Sequence, residues 1–176
     1  MSSTAPRGSM APPSPKQRLF DQYEREHSTT MRVLRAYPPD RLDLRPHSRC
    51  KTARELAWVF VGERAFATIV VEGRFGQEAP TEPPPPPDSW DEILAAVEEA
   101  FQDFHEKMEG MSEEYLSETV PFLAGKDRPI QVQRLEFLWT MLFDEIHHRG
   151  QFSIYLRMAD GKVPSIYGPS ADEPWM

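Results

Sequence analysis

Apolar side chains recur at three- and four-residue spacing through four stretches of this chain, and prolines and glycines mark the gaps between them. Phe20, Tyr23, His27, Thr30, Met31 and Leu34 form one such stripe, opened by Ser14-Pro15 and closed before Pro38-Pro39. Leu56, Val59, Phe60, Glu63, Phe66, Ala67 and Val70 form a second, which begins at a Thr52-x-x-Glu55 capping box. Ile93, Leu94, Val97, Phe101, Phe104 and Met108 form a third, capped by Ser89 and ended by Gly110. The fourth is predicted from about Gln131 to Met158, roughly 42 Å at 1.5 Å per residue. Pro129 bounds it on one side and Asp160-Gly161-Lys162-Val163-Pro164 on the other. Its centre is apolar on nearly every face, which predicts that the other helices wrap it.

The connections are of several kinds. Residues 1–15 are Ser, Ala, Pro and Gly around a lone Arg7, too poor in apolar groups to order themselves, which leaves 16–176 as a single domain. Between helices two and three, the run Pro83-Pro84-Pro85-Pro86-Pro87 enforces an extended, donor-free backbone and reads as a stiff surface spacer. Met111 to Phe122 reads as a short helical turn capped by Ser112, and Ala124 to Pro129 as a polar turn. Val163 to Ser170 is neither helical nor very polar, the signature of an ordered tail packed on the domain or on a second subunit. The fold class that follows is all-α, a four-helix bundle with a Pro-rich loop and a non-helical C-terminal tail.

Composition narrows the function. The chain has 176 residues and a net charge of −8, with no basic stripe, which disfavours nucleic acid as a partner. Cys50 is the only cysteine, which excludes an internal disulfide and points to a reducing cytosol. No apolar run approaches the ~20 residues of a membrane span, and the N-terminus lacks the apolar core of a signal peptide. A cytoplasmic protein without a membrane partner is expected.

The chemistry lies in Asp144-Glu145-Ile146-His147-His148-Arg149, where an apolar helix meets two carboxylates, two imidazoles and a guanidinium. Asp144 and His148 are four apart and share a face. Inside a buried helix, such a pair needs hydrogen-bond partners or a metal ion. Glu63 interrupts the apolar stripe of the second helix, either turned towards the same interior or paired with an arginine. His27 is the other candidate third ligand, although a histidine on an apolar face is more commonly a hydrogen-bonded core residue. His147 points roughly 100° away from His148. Arg149 reads as an ion-pair partner fixing a neighbouring helix. Gly150 costs about 1 kcal/mol against alanine in a helix, which implies a backbone passing close by. Cys50, in a polar connector, reads as a bystander, and no phosphate loop, nucleophile elbow or CxxC is present.

Asp144-Glu145-Ile146-His147-His148-Arg149-Gly150-Gln151, followed by Tyr155-Leu156-Arg157 and Val163-Pro164-x-Ile166-Tyr167-Gly168-Pro169, resembles the DinB family of DinB/YfiT-like helical bundles. Thr52-Ala53-Arg54-Glu55-Leu56-Ala57-Trp58 is similar to that family's second-helix motif. The resemblance implies an up-down-down-up-like bundle, a homodimer, and a divalent metal such as zinc or nickel on three histidines. It also implies, for some members, thiol-dependent transferase or isomerase chemistry with a small thiol. Position by position, the histidine expected after Trp58 is Val59, the first histidine of HxxxH is Asp144, and the second is His148. Glu63, one turn from Val59, is the nearest replacement. A Glu63/Asp144/His148 set suits harder divalent ions, manganese or iron as well as zinc or nickel. Two readings stay open at this point. One is a metal-dependent protein that acts on a small thiol or substrate. The other is a non-enzymatic stress-associated or small-ligand-binding dimer whose metal site has decayed at Val59.

Overall fold

A computed structural model of the chain describes residues 12–75, 84–123 and 128–175. Among the described residues, five helices and one short hairpin follow one another as α1 (Pro15–Arg35), α2 (Ala53–Val71), α3 (Trp90–Glu109), α4 (Glu113–Ser117), β1 (Thr119–Leu123), β2 (Pro129–Gln133) and α5 (Arg134–Met158). The helix starts follow the side-chain chemistry. Ser14, Ser89 and Ser112 each accept a hydrogen bond from the amide three residues on, and Thr52 and Glu55 complete a reciprocal capping box. The four long helices pack in the cyclic order α1, α3, α2, α5, so that α5 lies between α1 and α2.

Two expectations about the last third of the chain need correcting. The fold is mostly helical but not all-α, because the chain from Thr119 to Gln133 makes an antiparallel hairpin with Val120 opposite Val132 and Phe122 opposite Ile130. Residues 131–133 therefore belong to β2, and α5 starts at Arg134. Ile130-Gln131-Val132-Gln133 alternates apolar and polar positions, which is the strand period, and Pro129 at the strand entrance has no amide to donate. Arg134 locks the hairpin to the helices: its guanidinium donates to the Val71 carbonyl at 2.7 Å and to Glu118 at 2.8 Å, and lies over the Tyr115 ring. The second correction concerns wrapping. One side of α5 is not covered, since Phe143 is 62% exposed and Ile154 59%.

The interior consists of two apolar cores separated by a polar layer. Tyr37, Phe60, Trp90, Ile93 and Phe152 anchor one core, and Leu19, Val70, Phe104, Met108, Leu138 and Leu142 the other. Between them lie Glu26, His27, Thr30, Arg64, Glu145 and Arg149, all buried. Buried charges persist only when paired. Here Arg149 pairs with Glu26 at 2.6 Å and Arg64 with Glu145 at 2.9 Å, as the ion-pair role expected of Arg149 requires.

The tail from Val163 has no regular structure but is tied down. Tyr167 donates to Glu26 at 2.7 Å and accepts from Arg149 at 2.6 Å, while Asp172 holds Arg157 and the Val163 amide. The close backbone passage expected at Gly150 is absent: a Cβ there would meet nothing within 4 Å. It occurs instead at Gly161, where a Cβ would lie 3.2 Å from the Ala36 carbonyl and 2.2 Å from Leu156 Cδ1. Of the proline run, residues 84–87 belong to no helix or strand, and Trp58 donates its indole N–H to the Pro84 carbonyl at 2.7 Å. Residues 1–11, part of the Pro-rich loop (76–83) and most of the polar turn (124–127) lie outside the described residues.

Candidate metal centre

At the level of the polar layer, neighbouring residues divide their tasks. Arg64, Glu145 and Arg149 turn into the interior, and the residue preceding each, Glu63, Asp144 and His148, turns about 100° to a groove between α2 and α5. Asp144 is thus not the interior carboxylate that its apolar surroundings in sequence suggested. Its side chain is 50% exposed, against 12% for Glu63 and 19% for His148. Glu145, one residue on, occupies the interior position, accepting from Arg64 and from Thr30.

Glu63, Asp144 and His148 each offer a ligand atom, and these atoms lie within 4.8 Å of one another. His148 Nδ1 is 2.6 Å from Glu63 Oε1 and 3.9 Å from Asp144 Oδ1. Donors around a tetrahedral zinc are about 3.4 Å apart, from bond lengths near 2.1 Å, so the two separations straddle what an ion requires. The 2.6 Å approach lacks hydrogen-bond geometry. Both carboxylate oxygens of Glu63 and Nδ1 of His148 are shielded from solvent without a hydrogen-bond partner. Buried polar atoms are normally satisfied, and three unsatisfied ones on two facing side chains fit a shared cation. The residues present therefore suit a divalent metal.

The electrostatics agree with the geometry. Burial, then the charges of Asp144 and Glu145, push the Glu63 carboxyl up to about 9, with Arg64 acting in the opposite sense. Burial also lowers the His148 imidazole below its ordinary 6.5, against the pull of Asp144. Without a cation, then, Glu63 carries a proton and His148 is neutral at pH 7. The imidazole is already in the state that binds metal, and one proton must leave the carboxyl.

His27 is not part of this cluster. It stacks on Phe101 with ring centres 3.7 Å apart, approaches Arg64 at 3.2 Å and pairs with Glu98 at 3.3 Å. Burial and the Arg64 charge push it down to about 4. It is the core histidine of the two possibilities raised by its position in α1. His147 is exposed and contacts Gln151. Val59 lies on the groove wall, one turn from Glu63.

The groove has a volume of about 800 Å³. Trp58, Val59, Phe66, Phe122, Phe137 and Met141 supply an apolar wall, Glu63 and Asp144 its acidic end, and Arg49 and Lys51 its rim. Cys50, a bystander by sequence position, is half-buried at this mouth and also borders the cavity that His148 faces. Tyr155 sits beside the Cys50 thiol and donates to the Lys51 carbonyl at 2.9 Å. No sequence signal marked this convergence, because the connector before α2 crosses the end of α5 only once the helices are packed.

Comparison with known proteins places these features. The uncharacterised protein YrdA of Bacillus subtilis (strain 168) is 26% identical over 156 residues, covering 88% of this chain and 89% of YrdA. A crystallised DinB-like protein from Bacillus cereus ATCC 10987 superposes with a TM-score of 0.69 at 22% identity, over 85% of this chain and 95% of that one. The DinB-like protein YjoA of Bacillus subtilis gives 0.66 at 18% identity, over 90% and 99%. These two likenesses establish the fold alone. The sequence model of the DinB family matches residues 9–175, and the chain belongs to the DinB family.

Proposed function

We propose that this protein is a divalent-metal-binding four-helix bundle whose ion is held by Glu63, Asp144 and His148. The adjoining groove takes a small molecule for metal-dependent chemistry, with thiol-dependent group transfer as the reaction class. The observation that carries the proposal is the trio of shielded, unpartnered ligand atoms on Glu63 and His148. One nitrogen and two carboxylates favour manganese or iron over the softer preferences of a tris-histidine site. A bound ion there supplies Lewis acidity and lowers the pKa of a thiol or water beside it. The chain itself contributes the rest. Asp144 keeps the open side polar, Glu63 releases its proton as the site loads, and the Trp58, Phe66 and Met141 wall orients an apolar body. Arg49 and Lys51 favour an anionic end at the rim.

Elemental analysis of untagged protein, before and after incubation with Mn²⁺, Fe²⁺, Zn²⁺ and Ni²⁺, tests the reading. One equivalent of metal in the native protein and none in His148→Ala or Glu63→Gln supports it. Equal metal content in mutant and native protein, or none in either, overturns it. The second reading, a bundle whose site has decayed, is favoured by one observation, Val59 at the position of the family's first histidine. It predicts the result in which no ion is retained.

A further inference from the structure

Six residues of α2 face the groove, Glu55, Trp58, Val59, Gly62, Glu63 and Phe66, at alternating spacings of three and one that keep them on one side of the helix for three turns. All but one present a side chain. Gly62, near the centre, presents bare backbone. Glycine is the weakest helix former after proline, so its place in the interior of α2 needs a reason. Close packing does not supply it. Beyond the chain neighbours and the helix's own backbone, a Cβ at Gly62 would meet no heavy atom within 4 Å among the described residues. α2 is therefore a less stable helix than alanine would make it, and the notch that results is filled by no described residue.

We infer that Gly62 is a ligand-contact position and that the groove takes a flat aromatic anion whose ring lies over it, on the reading that the groove is the small-molecule site proposed above but whether or not an ion is bound. The notch suits a ring in depth and in width. It is one missing side chain deep, which matches the roughly 3.5 Å thickness of a ring in contact. Trp58 and Phe66 stand four residues to either side, so their Cα atoms lie about 12 Å apart along the axis, enough to admit one ring between them. Trp58 is held in place by its bond to the Pro84 carbonyl at 2.7 Å. From α5, Met141 lines the groove and supplies a polarizable thioether, a good neighbour for an aromatic ring.

Charge sets which way the ligand lies. On a chain of net charge −8, Arg49 and Lys51 stand at the groove mouth with no ion pair among the described residues. Glu55, the carboxylate at that end, is already engaged by the Thr52 amide at 2.7 Å and lies 4.0 Å from Arg45. Glu63 and Asp144 make the other end acidic and repel an anion. A carboxylate or sulfonate is thus drawn to the start of α2, about 10 Å along the helix from Gly62. That leaves the far edge of the ring beside Glu63.

Fluorescence titration of the metal-free protein with anilinonaphthalene sulfonate, an aromatic anion, tests the site. The native protein should bind it at micromolar concentration. Gly62→Ala should weaken binding about threefold and Gly62→Leu at least about tenfold, because each fills the notch. Yet Gly62→Ala should melt about 2–4 °C higher than the native protein, since alanine suits the helix and its methyl meets nothing. Gly150→Ala is the control. It also replaces a mid-helix glycine with open space in front of it, but outside the groove, so it should melt higher and leave the affinity for the probe unchanged. Replacing Arg49 and Lys51 together with serine should weaken binding about tenfold and flatten its dependence on salt. Native affinity in Gly62→Leu, a lowered melting temperature in Gly62→Ala, or no binding by the native protein overturns the proposal. Because the titration contains no metal, its result is separate from the elemental analysis that tests the ion.

Discussion

Replacing Arg149 with methionine removes the cation from the most enclosed ion pair among the described residues. The guanidinium pairs with the Glu26 carboxylate at 2.6 Å and donates to the Glu26 carbonyl at 3.2 Å, to Thr30 at 3.4 Å and to Tyr167 at 2.6 Å, and both charged side chains are almost wholly buried. Breaking a buried pair from one side costs about 3–5 kcal/mol, because the remaining charge is left uncompensated. Glu26 retains two donors, Gln22 at 2.6 Å and Tyr167 at 2.7 Å, which sets the expected loss at the lower end, about 3 kcal/mol. Methionine fills most of the vacated volume, so a cavity adds little. Urea unfolding followed by circular dichroism at pH 7 should show this loss, and thermal melting a fall of roughly 10 °C. Adding Glu26→Leu removes the stranded carboxylate and should restore all but about 1 kcal/mol. A single variant that loses under about 1 kcal/mol would refute the reasoning. So would a double variant no more stable than Arg149→Met.

Three further outcomes follow from the geometry. The Glu63 carboxyl is held up to about 9 in the folded chain, whereas the unfolded chain ionises at 4.5. Its contribution to the stability of metal-free protein is therefore full below 4.5 and lost as pH rises through about 9, and Glu63→Gln should flatten that fall in a series of melts. By the same proton, metal affinity measured by calorimetry should strengthen about tenfold per pH unit between neutrality and about 9, and a flat profile would count against Glu63 as a ligand. Gly161→Ala places a methyl 3.2 Å from two carbonyl oxygens, of Ala36 and Leu156, and should destabilise by about 1–3 kcal/mol in urea. An unchanged midpoint would show that the α1–α5 corner is not tightly packed.

Much of the helical framework was legible because its signals are local. A serine or threonine cap, a proline stop and a three-four spacing each act within one turn, and α1, α2 and α3 begin where those signals fall. The hairpin was harder. Val120 and Val132 acquire their strand partners only from each other, across residues that read as a polar turn. The rotation of α5 was harder still. Asp144 and Glu145 are adjacent carboxylates, and His148 and Arg149 adjacent cation formers, so either pair satisfies a helical wheel. Arg64, reaching from α2 to Glu145, decides between them, and that contact spans 81 positions of the chain. The same contact removes His27 from ligand duty, since the imidazole stands against the guanidinium. Glu63 is legible as a candidate because a carboxylate within an apolar stripe needs a reason at short range. Cys50 is not legible in this way, because its surroundings are created by tertiary packing.

The charged stratum between the two greasy compartments also acts as a keyway. Were α2 or α5 to ride up by a single turn, about 5.4 Å, Arg64 or Arg149 would be thrust among Phe, Leu and Met side chains, while Glu145 or Glu26 stayed behind without a counter-ion. Oily surfaces alone tolerate such slippage; opposite charges locked at one height do not. The groove inherits this alignment, because Glu63 is welded in sequence to Arg64, and Asp144 and His148 to Glu145 and Arg149. Whatever holds the helices level therefore also holds the three groove-facing side chains at one point in space.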